Sequence, residues 1–284
     1  MIFEAHPLII RLKRQLEHTR AGYRQVVLAA LTIGEDRASA IYCASQKRMA
    51  EELKVEYRHY TFKKNVSAKK VLDALTALNA DRGVHGIMVH KPLPGHLNEV
   101  ELFSAIAPGK DIEGVHPQNV GRILLKDPYI IPPTAESVLA VLDHVKVDLY
   151  GKNVVLIGFS SHIGKPLSVI LADKFATVTI THIGTYEKKQ LPFYTRHADV
   201  LISCVGKPHF IKTAWIKKNA IVIDVGISRG PHGKICGDVD SQKAVLKAEI
   251  VTPVPLGVGA LTPLFLYRNL FKSVTRAHQE KKRL

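Results

Sequence analysis

The feature that most limits how this chain can fold is alternation. Short apolar runs recur along it, and between them lie longer stretches whose apolar residues are spaced among charges. "QVVLAALTIG" (25–34) reads as a buried strand that ends in a turn. "ASAIYCASQKRMAEELK" (38–54) reads as a helix, with Ile41, Met49 and Leu53 set among charged residues. "VEYRHYTF" (55–62) is a strand, "SAKKVLDALTALNAD" (67–81) a helix with Ser67 as N-cap candidate, and "VHGIMVHKPLP" (84–94) a strand that a proline loop stops. Strands separated by helix-length crossovers pair in parallel, so this half predicts a parallel sheet covered by helices.

The same grammar returns further on. "AESVLAVLDHVKVDLYGK" (135–152) reads as a long helix bridging to a second unit. There, "NVVLIG", "ATVTITH", "ADVLISCVG" and "AIVIDVGI" each read as a short buried run, and "KPLSVILADKF" as a helix between the first two. Near-continuous apolar runs are what a sheet covered on both faces requires. The expected fold is α/β with two domains: an N-terminal parallel α/β domain over 1–140 and a C-terminal doubly wound, Rossmann-type dinucleotide-binding domain over 141–261. A closing helix over 262–284 is expected to pack back on the first domain.

Composition excludes several classes. At 284 residues and 46% hydrophobic, the chain has enough apolar side chains for a real core, yet no apolar run nears the ~18 residues of a membrane span. The amphipathic N-terminus "MIFEAHPLIIRLKRQLEHTR" lacks a small-residue cleavage site and reads as a helix of the fold, not a signal peptide. Cys43, Cys204 and Cys236 form no C-x-x-C pair, which suits a reducing, cytoplasmic setting. The net charge of +15 raises nucleic-acid binding, but the cations are scattered apart from the tail "HQEKKRL", and no nucleic-acid motif accompanies them. Attraction of anionic small molecules is the simpler use of such a charge.

The strand "NVVLIG" runs into "GFSSHIGKP" (158–166), which places Gly158, Ser160 and Gly164 between a strand and a helix. The usual dinucleotide fingerprint is G-x-G-x-x-G; here the middle glycine is Ser160 and the last falls one position late. The physical logic still holds. Glycine permits the tight turn, and the following helix offers unpaired N–H groups to a pyrophosphate. The next strand ends at His182 and Ile183, where an NAD-selective site carries an acid. No carboxylate stands there to repel a 2′-phosphate and no arginine to bind one; Lys165 and Lys188 are the nearest cations in sequence.

In order and spacing, the motifs resemble those of the bifunctional methylenetetrahydrofolate dehydrogenase/methenyltetrahydrofolate cyclohydrolase family. "IGEDRASAIYCAS" resembles V-G-x-x-x-A-S-x-x-Y-V-x-x-K, "GIMVHKPLP" resembles G-I-x-V-Q-L-P-L-P, and "PGKDIEGVHPQNVGRI" resembles P-x-K-D-V-D-G-x-x-x-x-N-x-G. "GFSSHIGKP" resembles G-x-S-x-x-V-G-x-P, "TPVPLGVGALT" resembles T-P-V-P-G-G-V-G-P-M-T, and "VGKPHFI", "IVIDVGIS" and "GDVD" match closely. The resemblance implies two α/β domains with a folate site in the cleft between them, NADP or NAD on the second domain, and a homodimer. It implies that tetrahydrofolate derivatives are the substrates. It places Tyr42, Gln46, His90 and Glu113 at the catalytic positions, and Tyr42, Glu113 and Gly257 at substrate-binding ones. Gly158, Phe159, Ser160, Gly164, Lys165 and Ile227 take the cofactor-binding positions, and no metal is implied.

Several of those positions depart from the family pattern. "YCASQKRMAEE" aligns without a gap, so the family's catalytic lysine falls on Gln46. Lys47 stands one residue on, about 100° around a helix, and is expected to point away from Tyr42. The family's glutamine is His90, with Lys91 after it, and its pterin-binding aspartate is Glu113. One of two adjacent glycines has become Leu256, and P-C-T-P-x-G has become "PPTAES".

Hydride transfer depends mainly on alignment. Hydrolysis of the methenyl ring needs a group that moves a proton as water attacks, a contribution typically of about 10²–10⁴-fold. The expected function is therefore oxidation of 5,10-methylenetetrahydrofolate, with the cyclohydrolase step weakened or lost and His90 or Lys91 as substitute cations. The alternative is a repurposed paralogue that binds nucleotide or folate and regulates a partner.

Overall fold

In the computed structural model, residues 1–230 and 233–283 are described, without the side chains of 37–39, 41 and 280–283. Ile41 and most of the basic tail thus lie outside what is described. The chain divides into two compact units: residues 11–133 with 263–284, and residues 1–10 with 134–262.

The first unit is built on three parallel strands in the order β2–β1–β3: β1 (Val27–Ile33), β2 (Glu56–Phe62) and β3 (Gly86–Val89). Helix α2 (Arg37–Glu52) crosses from β1 to β2, and α3 (Ala68–Ala80) from β2 to β3. Ser67 caps α3 by accepting from Lys70 N, and Val71, Leu75 and Leu78 point inward at helical spacing. They pack on Val27, Ala29 and Leu31 of the central strand and on Ile87 and Val89. The sheet edges on Gly86, where an added Cβ would lie 2.6 Å from Leu270 and 2.7 Å from Ile112.

The last helix, α11 (Val258–Arg283), joins this unit from Pro263 onward. Its Asn269 Nδ2 donates to the carbonyls of Ile112 (3.0 Å) and Ile131 (2.9 Å), and Tyr267 Oη donates to the Gln46 carbonyl at 2.8 Å. Two short helices absent from the sequence reading complete the unit: α4 (Glu99–Ser104), capped by Asn98, and α5 (Pro117–Leu124), capped by His116.

The second unit holds five parallel strands in the order β10–β7–β6–β4–β5. They are β4 (Asn153–Ile157), β5 (Thr177–Thr181), β6 (Val200–Ser203), β7 (Ile221–Asp224) and the two-residue β10 (Ile250–Val251). Strands β4, β6 and β7 are apolar and buried. β5 is not the buried run expected from its sequence: it is the edge strand, its outer backbone takes no partner among the described strands, and Ile180 is exposed.

Two expectations need correction. Helix α6 (Pro133–His144) stops well before residue 152. Lys146 takes φ 55°, its N–H returns to Asp143 O, and Val147 N–H returns to Leu142 O. That is a Schellman turn, in which the left-handed residue satisfies the last carbonyls and ends the helix. At the other end of the chain, helix α1 (His6–Ala21) begins only at His6. Residues 1–3 instead run alongside β10, with an Ile2–Val251 bridge and Phe3 N–H donating to Val251 O at 2.8 Å. The first ten residues therefore count with the second unit rather than with 11–133.

Candidate functional site

In each unit the sheet order reverses around one strand, and the loops beyond the carboxyl ends of the strands open a crevice there. In the first unit the reversal lies at β1, so α2 and the residue after β3 face the same space. Tyr42 and Gln46 sit one turn apart on α2, and His90 follows β3. As expected from the helix register, Gln46 is fully buried, whereas Lys47 is exposed.

A polar cluster surrounds Gln46. Tyr57 of β2, missed by the sequence reading, places its hydroxyl 3.3 Å from Gln46 Oε1, 3.3 Å from His90 Nε2 and 3.3 Å from Cys43 Sγ. His59, two residues along β2, lies 3.8 Å from Cys43 Sγ and 2.9 Å from Thr32 Oγ1. The Tyr42 and His90 rings meet edge to face with centroids 6.0 Å apart. Gln46 Nε2 faces the Tyr42 hydroxyl closely enough to act on the phenol, but makes no well-formed hydrogen bond among the described residues. The only sequence signal for Tyr57 and His59 was their period-two spacing on β2.

Charge in this cluster is suppressed. Burial, helped by His59, pushes the His90 imidazole down to about 4, so it is neutral at pH 7. Burial and the neighbouring Glu113 carboxyl push the Tyr42 phenol upward. Lys91 pairs with Glu99 Oε1 at 2.5 Å and stacks over Phe103. His90 is thus neutral beside Gln46, and the Lys91 ammonium is engaged by Glu99.

Glu113 belongs to the same unit. Burial and Asp111 push its carboxyl up to about 8, while the Val89 N–H and Lys91 oppose the shift. Asp111, also unremarked in the sequence reading, shapes this loop. Buried, it accepts from the N–H groups of Glu113 (3.1 Å), Gly114 (3.0 Å) and His116 (2.9 Å) and from Asn119 Nδ2 (2.8 Å).

The second unit carries Gly158, Phe159, Ser160, Gly164, Lys165, Ile227 and Gly257. Its sheet reverses at β4, which runs straight into Gly158. Gly158 holds φ 108°, and a Cβ there would lie 2.9 Å from Cys204 O; one on Gly164 would lie 2.3 Å from Gly158 O. These positions need glycine because the strand ends and the start of helix α7 (Gly164–Asp173) nearly touch. No side chain caps the N-terminus of α7. Beside it lies a recess of about 270 Å³ walled by Gly158, Ile183, Tyr186, Cys204, Lys207 and Phe210. The largely apolar lining suits a flat aromatic base, and the uncapped helix start suits the phosphates of a dinucleotide. Phe159 is exposed with Lys165 Nζ 5.5 Å above its ring, and the exposed His182 accepts from Gly184 N–H.

Two buried aspartates, again found only in the structure, pin the loops after β6 and β7. Asp224 accepts from Gly226, Asp238 and Val239 N–H groups, and Asp238 accepts from Ser203 Oγ and from Val205 and Lys207 N–H groups. Glycine is required beside them: a Cβ on Gly226 would fall 2.1 Å from Asp238, and one on Gly237 2.0 Å from Asp224. Ile227 follows, exposed, with its Cδ1 3.3 Å from where a Cβ on Gly259 would sit. Gly257 is packed against Pro253 O, and Leu256, in place of a family glycine, keeps a glycine-like φ of 78°.

Comparison with known proteins settles the family. Residues 5–113 match the tetrahydrofolate dehydrogenase/cyclohydrolase catalytic domain, and residues 132–278 match the NAD(P)-binding domain of the same family. The chain belongs to the tetrahydrofolate dehydrogenase/cyclohydrolase family. It is 37% identical over 269 residues, 95% of this chain and 94% of the relative, to the bifunctional protein FolD of Anoxybacillus flavithermus (strain DSM 21510 / WK1). Among solved structures it is similar to the bifunctional FolD of Campylobacter jejuni, at 34% identity and TM-score 0.92 over 97% of this chain and 99% of that one. It is also similar to the Trypanosoma brucei enzyme complexed with NADP cofactor and inhibitor, at 29% identity and TM-score 0.92 over 97% of each chain. As in other members of the tetrahydrofolate dehydrogenase/cyclohydrolase family, a catalytic domain and an NAD(P)-binding domain share one chain.

Proposed function

We propose that the protein oxidises 5,10-methylenetetrahydrofolate to 5,10-methenyltetrahydrofolate with NADP or NAD, and hydrolyses the product slowly or not at all. The observation that carries this reading is Gln46: a buried, uncharged amide at the family's lysine position, with no other cation among the described residues bonded to it. A nicotinamide, when bound, supplies the hydride acceptor. The chain's own residues orient the ligands. Tyr42 offers its ring to the folate, and Glu113 pairs with pterin N–H groups. Gly158 and Gly164 let the backbone approach the pyrophosphate at the α7 N-terminus, with Ser160, Phe159, Lys165 and Ile227 lining the rest of the dinucleotide site and Gly257 the folate side.

Hydrolysis lacks its proton carrier. An amide cannot shuttle a proton, and the neutral His90 has too little basicity at pH 7 to do so efficiently. The same reading carries a cytoplasmic setting, in keeping with three free cysteines, and a homodimer built by the second unit, whose edge strand β5 offers unpaired backbone. No helix among the described residues is long and apolar enough to cross a membrane.

The test is turnover of methylenetetrahydrofolate with NADP and with NAD, set beside binding of the same ligands. Steady oxidation supports the reading. Tight binding without turnover would instead favour a repurposed ligand-binding paralogue.

A further inference from the structure

Tyr57 lies on the strand opposite the motif helix, yet its hydroxyl reaches three site groups at once: Gln46 Oε1, His90 Nε2 and Cys43 Sγ, each at 3.3 Å. A phenol has one proton to donate and two lone pairs to accept with. The carbonyl oxygen of Gln46 can only accept, so the proton goes there. His90 must then donate from Nε2, which leaves Nδ1 with the lone pair, and the Cys43 thiol donates to the remaining lone pair. With its oxygen held by Tyr57, the Gln46 amide turns Nε2 the other way, beside Tyr42. Apart from its approach to the Tyr42 hydroxyl, that buried N–H₂ group has no well-formed hydrogen bond among the described residues, and a buried unsatisfied donor costs about 1–3 kcal/mol unless a ligand meets it.

We propose that Tyr57 is a positioning residue for the folate chemistry: its hydroxyl fixes the Gln46 amide so that Nε2 is presented to a hydrogen-bond acceptor on the folate, and holds His90 as the Nε2–H tautomer. This rests on the folate reading above and adds a residue outside the family's motifs. Residue 46 and residue 90 are coupled through one hydroxyl, so a change at either resets the other.

Two measurements test it. The first is the ¹⁵N spectrum of the His90 ring in the protein alone at pH 7, assigned by its loss in His90→Gln. The expected form is Nε2–H, shifting toward a mixture in Tyr57→Phe; an Nδ1–H ring in the wild type overturns the arrangement. The second is calorimetric binding of tetrahydrofolate to wild type, Tyr57→Phe, Gln46→Ala and the double variant. Each single change is expected to weaken binding about tenfold (about 1.4 kcal/mol), and the double variant no more than either alone, because both remove one hydrogen bond. A double variant weakened about a hundredfold means that the residues act independently and overturns the proposal. If the wild type does not bind tetrahydrofolate at all, the folate reading itself fails, and the ring spectrum still decides what the hydroxyl does. Should Tyr57→Phe not fold, the wild-type spectrum decides.

Discussion

Burial decides what each residue of the cluster around Tyr42, His90 and Glu113 can do. Glu113 is the clearest case. Its carboxyl is pushed up to about 8, so at pH 7 the free protein holds it mostly protonated. Pterin N–H groups would donate to the ionised form and favour it. Folate binding near pH 7 is therefore expected to release a proton, and affinity to rise with pH up to about 8. Calorimetry in buffers of different ionisation enthalpy should show that release in wild type and not in Glu113→Gln. A buffer-independent enthalpy in wild type would sink the assignment. The stability sign runs the other way. A carboxyl whose folded pKa exceeds its unfolded one binds more protons when folded, so its contribution is present below about 4.5 and fades as pH climbs to about 8. Leu256 shows a different residue-scale cost: a side chain stands at φ 78°, a conformation suited to glycine.

At the scale of elements, strands were easier to read than helix ends. The apolar runs at β1, β3, β4, β6 and β7 announce themselves because burial on both faces leaves no room for polar residues. Several helix ends were hidden because they close without glycine. Lys54, Lys126, Lys146, Phe175 and Lys189 all hold φ between 51° and 61° after a helix, with the returning N–H bonds of a Schellman turn. Sequence gave no warning at Lys146, where a helix expected to reach residue 152 stops at 144. Replacing Lys146 with glycine should relieve about 1 kcal/mol of backbone strain and raise the unfolding midpoint in denaturant. An unchanged or lowered midpoint would mean that chain entropy outweighs the strain. The candidate site divides in the same way. Tyr42, Gln46, His90 and the glycine turn were legible because they sit in contiguous motifs. Tyr57, Asp111 and the Asp224–Asp238 pair were not, since their importance comes from partners distant in sequence. The turn after β4 also carries a prediction. Phe159 and Ile183, both exposed, offer no charge to a 2′-phosphate, so preference for NADP over NAD should stay below about 100-fold (about 2.7 kcal/mol). Steady-state kinetics showing a stronger preference that survives Lys165→Ala would contradict it.

For the whole molecule, the second unit is expected to make the dimer, and sedimentation should find two copies together at micromolar concentration; a monomer there would refute it. The larger claim is that one chain has kept the dehydrogenase half of a two-step chemistry and lost most of the hydrolase half. A second unit with glycines where strand ends nearly touch, and a first unit whose cluster has become uncharged, are the two sides of that claim. The most direct measurement takes both activities from one preparation: oxidation of methylenetetrahydrofolate, and hydrolysis of methenyltetrahydrofolate followed by loss of its absorbance. Wild type, Gln46→Lys, Gln46→Lys with His90→Gln, and Lys47→Ala are compared. Steady oxidation and slow hydrolysis are expected in wild type, and little change in Lys47→Ala. Restoring lysine at 46 should raise hydrolysis about 10²-fold or more, with His90→Gln added if the imidazole blocks the amine. Brisk hydrolysis by wild type that Lys47→Ala abolishes would contradict it.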